Sequence, residues 1–169
     1  LLLLGKLPTS SELSKFEDDL AGQRKMPDSL IGVVESIPAS AHPMEVIRTI
    51  ISYMGVIEPE LSFDDQLAVA KRLIGVTTTA IVYWYNFSHK GLKVDQESNE
   101  RSVAGHFLKL LRQEEIPELD KRTLDVSLTL YAEHEFNAST FTARVCASTM
   151  SDIHSCVVAA IGSLRGPLH

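Results

Sequence analysis

The residues best suited to chemistry are a histidine and a group of short polar side chains close behind it. His134 lies between Glu133 and Glu135, and the short polar residues that follow are Asn137, Ser139 and Thr140. Neighbouring residues of a helix point apart, so the two glutamates alone do not form a relay with His134. Free N–H groups and the dipole at a helix start attract anions. The pattern indicates either a site for an anionic substrate or a surface histidine at a helix end.

A second histidine, His169, follows Arg165-Gly166-Pro167-Leu168. Gly166 suits the turn at the end of a helix, and Pro167 prevents the helix from continuing. This turn would hold His169 beside the end of the last helix, where an imidazole can polarise a carbonyl or accept a proton. Spacing alone leaves a purely structural turn histidine equally open.

Other common catalytic patterns are missing from the sequence. No His-Glu-x-x-His pair and no Cys/His spacing typical of zinc occurs, so no metal site is expected. The sequence also lacks the Gly-x-Ser-x-Gly elbow of acyl-serine hydrolases and the Gly-rich loop with Lys that binds nucleotide phosphates.

Net charge and hydropathy argue against nucleic acids and membranes as binding partners. The chain has 169 residues and a net charge of −6, the wrong sign for a protein held to nucleic acid by neutralised phosphates. No apolar run approaches the roughly 20 residues that span a bilayer, so no membrane contact is expected. The chain begins without Met and ends directly on His169, from which we expect the middle of a longer polypeptide.

Helical spacing dominates the chain and predicts an all-α fold, since no strand-turn pattern supports a sheet. Thr9 and Glu12 form a capping box, Asp28 is suited to cap the second helix, and Pro43 suits the first turn of the third. The predicted helices cover residues 10–22, 28–37, 43–55, 67–86, 101–114 and 120–131, followed by one long helix over 139–164.

The long last helix is rich in Ala, Ser, Thr and Cys, and small side chains let neighbouring backbones approach closely. We therefore expect it to be buried centrally or against another subunit. Cys146 and Cys156 would lie about 15 Å apart along this helix, beyond disulfide reach. Both thiols are expected to be reduced, as in a cytoplasmic protein.

Two long motifs give the sequence a family resemblance. Residues 130–145 (LYAEHEFNASTFTARV) and 160–169 (AIGSLRGPLH) closely resemble the citrate synthase family, and its 2-methylcitrate synthase branch in particular. Residues 3–9 (LLGKLPT) and 41–49 (AHPMEVIRT) fit the same family, so the resemblance extends over essentially the whole chain.

The resemblance implies a mainly helical homodimer that condenses an acyl-CoA thioester with oxaloacetate and then hydrolyses the product thioester. It implies that His169 binds the thioester carbonyl and stabilises the enol, and that His134 binds oxaloacetate and polarises its ketone. Asn137 and Ser139 match positions that line this pocket or orient the catalytic imidazole. The turn formed by Leu164, Arg165, Gly166, Pro167 and Leu168 matches the one over which coenzyme A lies. No covalently bound cofactor is implied, and the coenzyme A thioester is a co-substrate.

The family pattern also extends beyond these residues. In that family the carboxylate base, a second catalytic histidine, most substrate-clamping arginines and most of the small domain follow the position of His169. The resemblance therefore identifies residues 1–169 as part of the large helical domain, incomplete at both ends. It predicts that this chain alone does not turn over.

The acyl donor and the class of function remain open at this stage. Overall resemblance favours propionyl-CoA over acetyl-CoA, although one methylene changes discrimination by only about 1 to 3 kcal/mol. A non-catalytic helical dimer that keeps the fold is the alternative, and the presence of both His134 and His169 favours the enzyme.

Overall fold

The structure is a computed structural model that describes residues 1–133 and 135–169, and these residues form helices without any β-strand. The predicted all-α fold is confirmed. A short 3₁₀ turn, Phe63–Asp65, precedes the longest helix. In chain order, the α-helices of the described residues are α1 (Ser10–Gly22), α2 (Asp28–Ser36), α3 (Pro43–Ile57), α4 (Gln66–Lys90), α5 (Val103–Arg112), α6 (Glu118–Tyr131), α7 (Ala138–Ala147) and α8 (Ile153–Leu164).

Local sequence explains where several helices begin and end. At α1, the Thr9 hydroxyl accepts from the Glu12 amide and the Thr9 amide donates to the Glu12 carboxylate, which confirms the predicted capping box. His42 caps α3 by accepting from the Met44 amide at 3.2 Å. Gly91 ends α4 with a φ of 67°, a left-handed conformation that glycine adopts without steric cost.

Some predicted boundaries were wrong by a few residues. Asp28 is the first residue of α2 and makes no side-chain cap, because Pro27 occupies the capping position. Helix α4 continues to Lys90, four residues past the predicted end, and stops only where Gly91 permits a left-handed turn. Helix α5 is shorter than predicted at both ends. The Ser102 hydroxyl caps its start by accepting from the Gly105 amide, and Gln113 adopts a left-handed φ of 60° after its last residue.

The hydrophobic core lies between α3 and α4. Helix α4 contacts α1, α2, α3 and α5, and α8 packs against α3 and α4. The side chains that fill this core include Leu30 and Val34 of α2, Val46, Ile50 and Met54 of α3, Val76, Ala80 and Trp84 of α4, and Ile161 of α8. No helix in the described part of the chain is both long enough and apolar enough to cross a membrane.

The predicted single helix over 139–164 was wrong, because it is two antiparallel helices. Helix α7 ends at Ala147, Met150 adopts a left-handed φ of 66°, and Asp152 caps α8 by accepting from the Ser155 amide at 2.9 Å. The two helices pack closely against each other. We call α7, this turn, α8 and the residues up to His169 the α7–α8 hairpin.

This break also overturns the expected separation of the cysteines. Cys146 lies on α7 and Cys156 on α8, and burial together with the neighbouring Cys146 thiol raises the pKa of Cys156 to about 11. Both thiols are free. The predicted separation along a single helix no longer explains this, because the two cysteines lie on different helices. The protonated Cys156 thiol is a poor nucleophile at neutral pH, since thiolates are the reactive form.

Buried polar side chains hold the connection between α4 and α5 in place. The Arg24 guanidinium donates to the backbone carbonyls of Glu100, Arg101 and Ser102. His106 is fully buried, and its ring nitrogens contact the hydroxyls of Thr79 at 2.9 Å and Ser98 at 2.8 Å. Every nitrogen of this imidazole therefore has a partner, as a buried polar group requires.

Candidate active site

The α7–α8 hairpin brings two of the predicted site residues into direct contact. The Ser139 hydroxyl, in the first turn of α7, lies 2.6 Å from Nε2 of His169. The two residues are 30 positions apart in sequence, and only the antiparallel packing of α7 on α8 lets them meet. Because Nε2 is engaged by Ser139, Nδ1 is the ring nitrogen left to meet another molecule.

A tight turn positions His169. Helix α8 ends at Leu164, and the His169 amide donates to the Gly166 carbonyl at 3.1 Å, which closes a four-residue turn with Pro167 in its second position. A side chain at Gly166 would bring its Cβ within 3.2 Å of the Ser163 carbonyl. Glycine therefore lets the chain reverse closely against the end of α8.

Asn137 caps the start of α7 and lies beside a different opening from His169. Its side-chain carbonyl accepts from the Thr140 amide at 2.8 Å, and its amide donates to the Thr140 hydroxyl at 2.9 Å. Both residues line an open cleft of about 410 Å³, together with Glu133, Glu135, Phe136, Phe141 and Arg144. His169 does not line this cleft, so the described residues bring Ser139 to His169 and leave Asn137 beside a separate opening.

Arg144 is a candidate that the sequence analysis missed. It lies on the same face of α7 as Asn137 and lines the cleft together with Glu133 and Glu135. Its position seven residues after Asn137, two helical turns on, was the available signal. The positive end of α7 and this guanidinium favour an anion beside Arg144, whereas the two glutamates that line the cleft disfavour one beside them.

The segment that leads into α7 is held in an uncommon conformation. Glu135 has a φ of 52°, in the left-handed region that a non-glycine residue adopts at some cost. The Asn137 amide donates to the Glu135 carbonyl at 2.7 Å, which stabilises this bend. Such outliers concentrate at functional sites.

The other predicted site residues are His134 and the five residues of the predicted coenzyme A turn. His134 lies outside the described residues, so its predicted place beside His169 stays a prediction. The predicted coenzyme A turn is solvent-exposed along its whole length and consists of Leu164, Arg165, Gly166, Pro167 and Leu168. Arg165 of this turn also contacts α3, where its Nε lies 3.7 Å from a carboxylate oxygen of Glu45.

The arrangement can place a hydrogen-bond donor against a carbonyl oxygen. A hydroxyl that donates to one nitrogen of a neutral imidazole leaves the proton on the other nitrogen. Such a donor, aimed where negative charge develops, stabilises an oxyanion or an enolate. The geometry fits proton-transfer or enolisation chemistry at a carbonyl.

The whole chain is similar in sequence to known proteins. The family model described as "Citrate synthase, C-terminal domain" matches residues 1–169. A 2-methylcitrate synthase from Shewanella oneidensis is 53% identical over 169 residues, which is 100% of this chain and 45% of that protein. A citrate synthase from Deinococcus radiodurans is 39% identical over 171 residues, covering 99% of this chain and 45% of its own length. The chain thus spans a little under half the length of these relatives.

Solved structures match the fold. A citrate synthase from Thermoplasma acidophilum, in a ternary complex with carboxymethyl coenzyme A and oxaloacetate, superposes with a TM-score of 0.89 and 28% identity, covering 100% of this chain and 45% of its own. A Thermotoga maritima citrate synthase gives a TM-score of 0.84 and 34% identity, covering 99% of this chain and 44% of its own.

Proposed function

Because this chain belongs to the citrate synthase family, we propose that the full-length protein condenses propionyl-CoA with oxaloacetate and releases 2-methylcitrate and coenzyme A. In this reaction the α-carbon of the thioester loses a proton and attacks the ketone carbon of oxaloacetate. Water then hydrolyses the product thioester, so that its C–S bond breaks and the coenzyme A thiol leaves. Residues 1–169 would form part of the larger helical domain of such an enzyme.

The contact between Ser139 and His169 carries this proposal. An α-proton of a thioester is a very weak acid, so enolisation needs a donor aimed at the thioester oxygen. The Ser139 hydroxyl, 2.6 Å from Nε2, can donate to that nitrogen and thereby keep the His169 proton on Nδ1. His169 would then stabilise the enol from Nδ1 without burying a full positive charge in the site.

The cleft at the start of α7 suits the second substrate. Oxaloacetate carries two carboxylates, and the cleft offers the Arg144 guanidinium and the amide-rich end of α7. We propose that Asn137 and Arg144 orient one carboxylate there and that His134 polarises the ketone. Orientation of both reactants lowers the entropic part of the barrier.

The exposed turn at the end of α8 suits the coenzyme A thioester. We assign residues 164–168 to coenzyme A, because this turn directly precedes His169 and would bring the thioester to its imidazole. Arg165 is 43% exposed at its side chain and is available to a phosphate, since its contact with Glu45 is long.

A second copy of the chain is the proposed partner of α7. No residue of α7 is buried within one chain, and Phe141 and Val145 expose 70% and 50% of their surfaces. Its small residues would allow a second backbone to approach closely. A homodimer joined through α7 would remove this apolar surface from water.

We predict that the full-length protein uses propionyl-CoA with about tenfold higher kcat/KM than acetyl-CoA, because pockets that differ by one methylene discriminate by about 1 to 3 kcal/mol. Steady-state release of the coenzyme A thiol with oxaloacetate and each thioester measures this ratio. A ratio that favours acetyl-CoA would assign a citrate synthase, as in the Deinococcus radiodurans relative. Turnover of neither thioester, with no heat of oxaloacetate binding by titration calorimetry, would favour the non-catalytic dimer.

We also predict that the 169-residue chain alone shows no turnover above the uncatalysed rate. His169 is exposed, and Phe136 beside the cleft exposes 96% of its surface, so neither position excludes water from a forming enolate. The same thiol-release assay, run with the full-length protein as the control, measures this. Condensation at the full-length rate would contradict the prediction.

A further inference from the structure

A second polar contact joins the two helices of the hairpin close to the Ser139–His169 pair. The Thr142 hydroxyl oxygen on α7 lies 2.5 Å from the Ser163 hydroxyl oxygen near the end of α8. Thr142 follows Ser139 by three residues, so the two side chains project from neighbouring positions of one helix face. Ser163 lies three residues before Gly166, where the turn that carries His169 begins.

The direction of these hydrogen bonds follows from proton counting. The Thr142 oxygen also lies 2.9 Å from the Ala138 carbonyl, which can only accept. A threonine hydroxyl has one proton, so Thr142 donates to Ala138 and must accept from Ser163. The result is a chain of two hydrogen bonds, from Ser163 through Thr142 to Ala138.

This chain ends on the peptide group that carries Ser139. The carbonyl of Ala138 and the amide of Ser139 belong to the same planar unit, so a restraint on one restrains the other. The other end of this hydrogen-bond chain is Ser163, whose backbone carbonyl accepts a hydrogen bond from the Gly166 amide at 3.0 Å. The two partners of the Ser139–His169 contact are therefore linked a second time, through the side chains of Thr142 and Ser163.

We propose that Thr142 and Ser163 are positioning residues that set the distance between Ser139 and His169. The inference rests on the proposed function, because it assigns these hydroxyls to the geometry of the same imidazole. Without the Thr142 hydroxyl, the start of α7 loses its polar link to the end of α8. The Ser139 oxygen is then no longer held at hydrogen-bonding distance from Nε2. As a result, the Nδ1–H of His169 no longer points at the thioester oxygen.

The test compares Thr142→Val with Thr142→Ser in the full-length protein. Valine matches threonine in shape but lacks the hydroxyl, and we expect kcat to fall about tenfold while the KM for oxaloacetate stays within about twofold. Serine restores the hydroxyl and should keep kcat within about twofold of wild type. Thr123→Val is the matched control, because Thr123 in α6 also donates to the carbonyl four residues earlier, that of Leu119.

A kinetic isotope effect separates positioning from simple loss of folded enzyme. With α-deuterated propionyl-CoA, slower enolisation in Thr142→Val should raise the deuterium isotope effect on kcat, and Thr142→Ser should not. An unchanged isotope effect with reduced kcat would mean less active protein and would overturn the proposal. Ser163→Ala should lower kcat less, about threefold, because Thr142 keeps its hydrogen bond to the Ala138 carbonyl. The double variant Thr142→Val with Ser163→Ala should have the same kcat as Thr142→Val alone.

Failure of the proposed function would be distinguishable from failure of this inference. Wild-type protein that turns over no acyl-CoA would reject the function only. Crystal structures of the wild-type and Thr142→Val proteins would then decide the positioning role. A Ser139–His169 contact that lengthens in the variant supports it, and a contact that stays at wild-type length overturns it.

Discussion

Replacement of His169 by alanine in the full-length protein is expected to lower kcat for condensation by about 10³-fold, because one well-placed donor or acid–base group contributes on the order of 10² to 10⁴. The Ser139 contact engages Nε2 and leaves Nδ1 for the thioester oxygen. Alanine removes that donor without adding bulk to an exposed turn. Steady-state thiol release under saturating oxaloacetate measures the loss.

Two further substitutions place this effect at the imidazole itself. Ser139→Ala should give an intermediate loss, about tenfold, because the ring remains but its orientation and tautomer are no longer held. His89→Gln is the matched histidine control, since His89 is an exposed residue at the end of α4 and is expected to leave kcat unchanged. If His169→Ala kept more than a tenth of wild-type kcat, the enol-stabilising role would be excluded.

The largest expected effect on stability comes from His106. Burial, with the nearby Arg24 charge as the second cause, lowers the pKa of His106 from 6.5 to about 4. The folded state therefore keeps this imidazole neutral, whereas the unfolded chain takes up a proton below about pH 6.5. Stability is lost as pH falls from 6.5 to 4, and the contribution amounts to about 3 kcal/mol in the free energy of unfolding.

Urea denaturation of the full-length protein between pH 7 and pH 4 measures this loss. Carboxylates also titrate near the acidic end of the range, so the comparison is with His106→Gln, which can still hydrogen-bond to Thr79 and Ser98 but does not titrate. The variant is expected to be less stable at pH 7 and to show a shallower decline below pH 6.5. Parallel pH profiles for the two proteins would show that His106 is not the titrating group.

Most of the helices could be predicted because their signals are local. The capping box at Thr9 and the proline in the first turn of α3 each act within a few residues of the boundary. The centre of α4 is rich in β-branched residues, which favour strands by propensity, but the helical spacing over residues 67–86 predicted the helix correctly.

The break between α7 and α8 was missed because no glycine or proline marks it. Residues 148–151 are Ser, Thr, Met and Ser, which a helix tolerates, and apolar residues continue on both sides. The usable signal was Asp152, whose carboxylate accepts from the Ser155 amide and so begins a new helix. Contacts such as Arg24 with the carbonyls near Ser102, 78 residues away, have no local signal.

Candidate site residues could be named from the sequence, and their roles stay predictions, but their arrangement could not be derived from it. Motif resemblance identified Ser139 and His169, and the structure brings them within hydrogen-bonding distance. Their contact depends on the fold-back after Ala147, which the predicted single helix would have prevented. Arg144 and the Thr142–Ser163 pair were missed, because their relevance arises only once α7 lies against other elements.

The short sequence separations within the α7–α8 hairpin bear on the order of folding. The Thr142–Ser163 and Ser139–His169 hydrogen bonds of the hairpin join residues 21 and 30 positions apart, whereas Arg24 reaches across 78 positions to Ser102. Closing the shorter loop costs about 1 kcal/mol less chain entropy than closing the longer one, and local pairings speed folding. The hairpin can therefore assemble early, so that the imidazole has its serine partner before distant segments of the chain have docked.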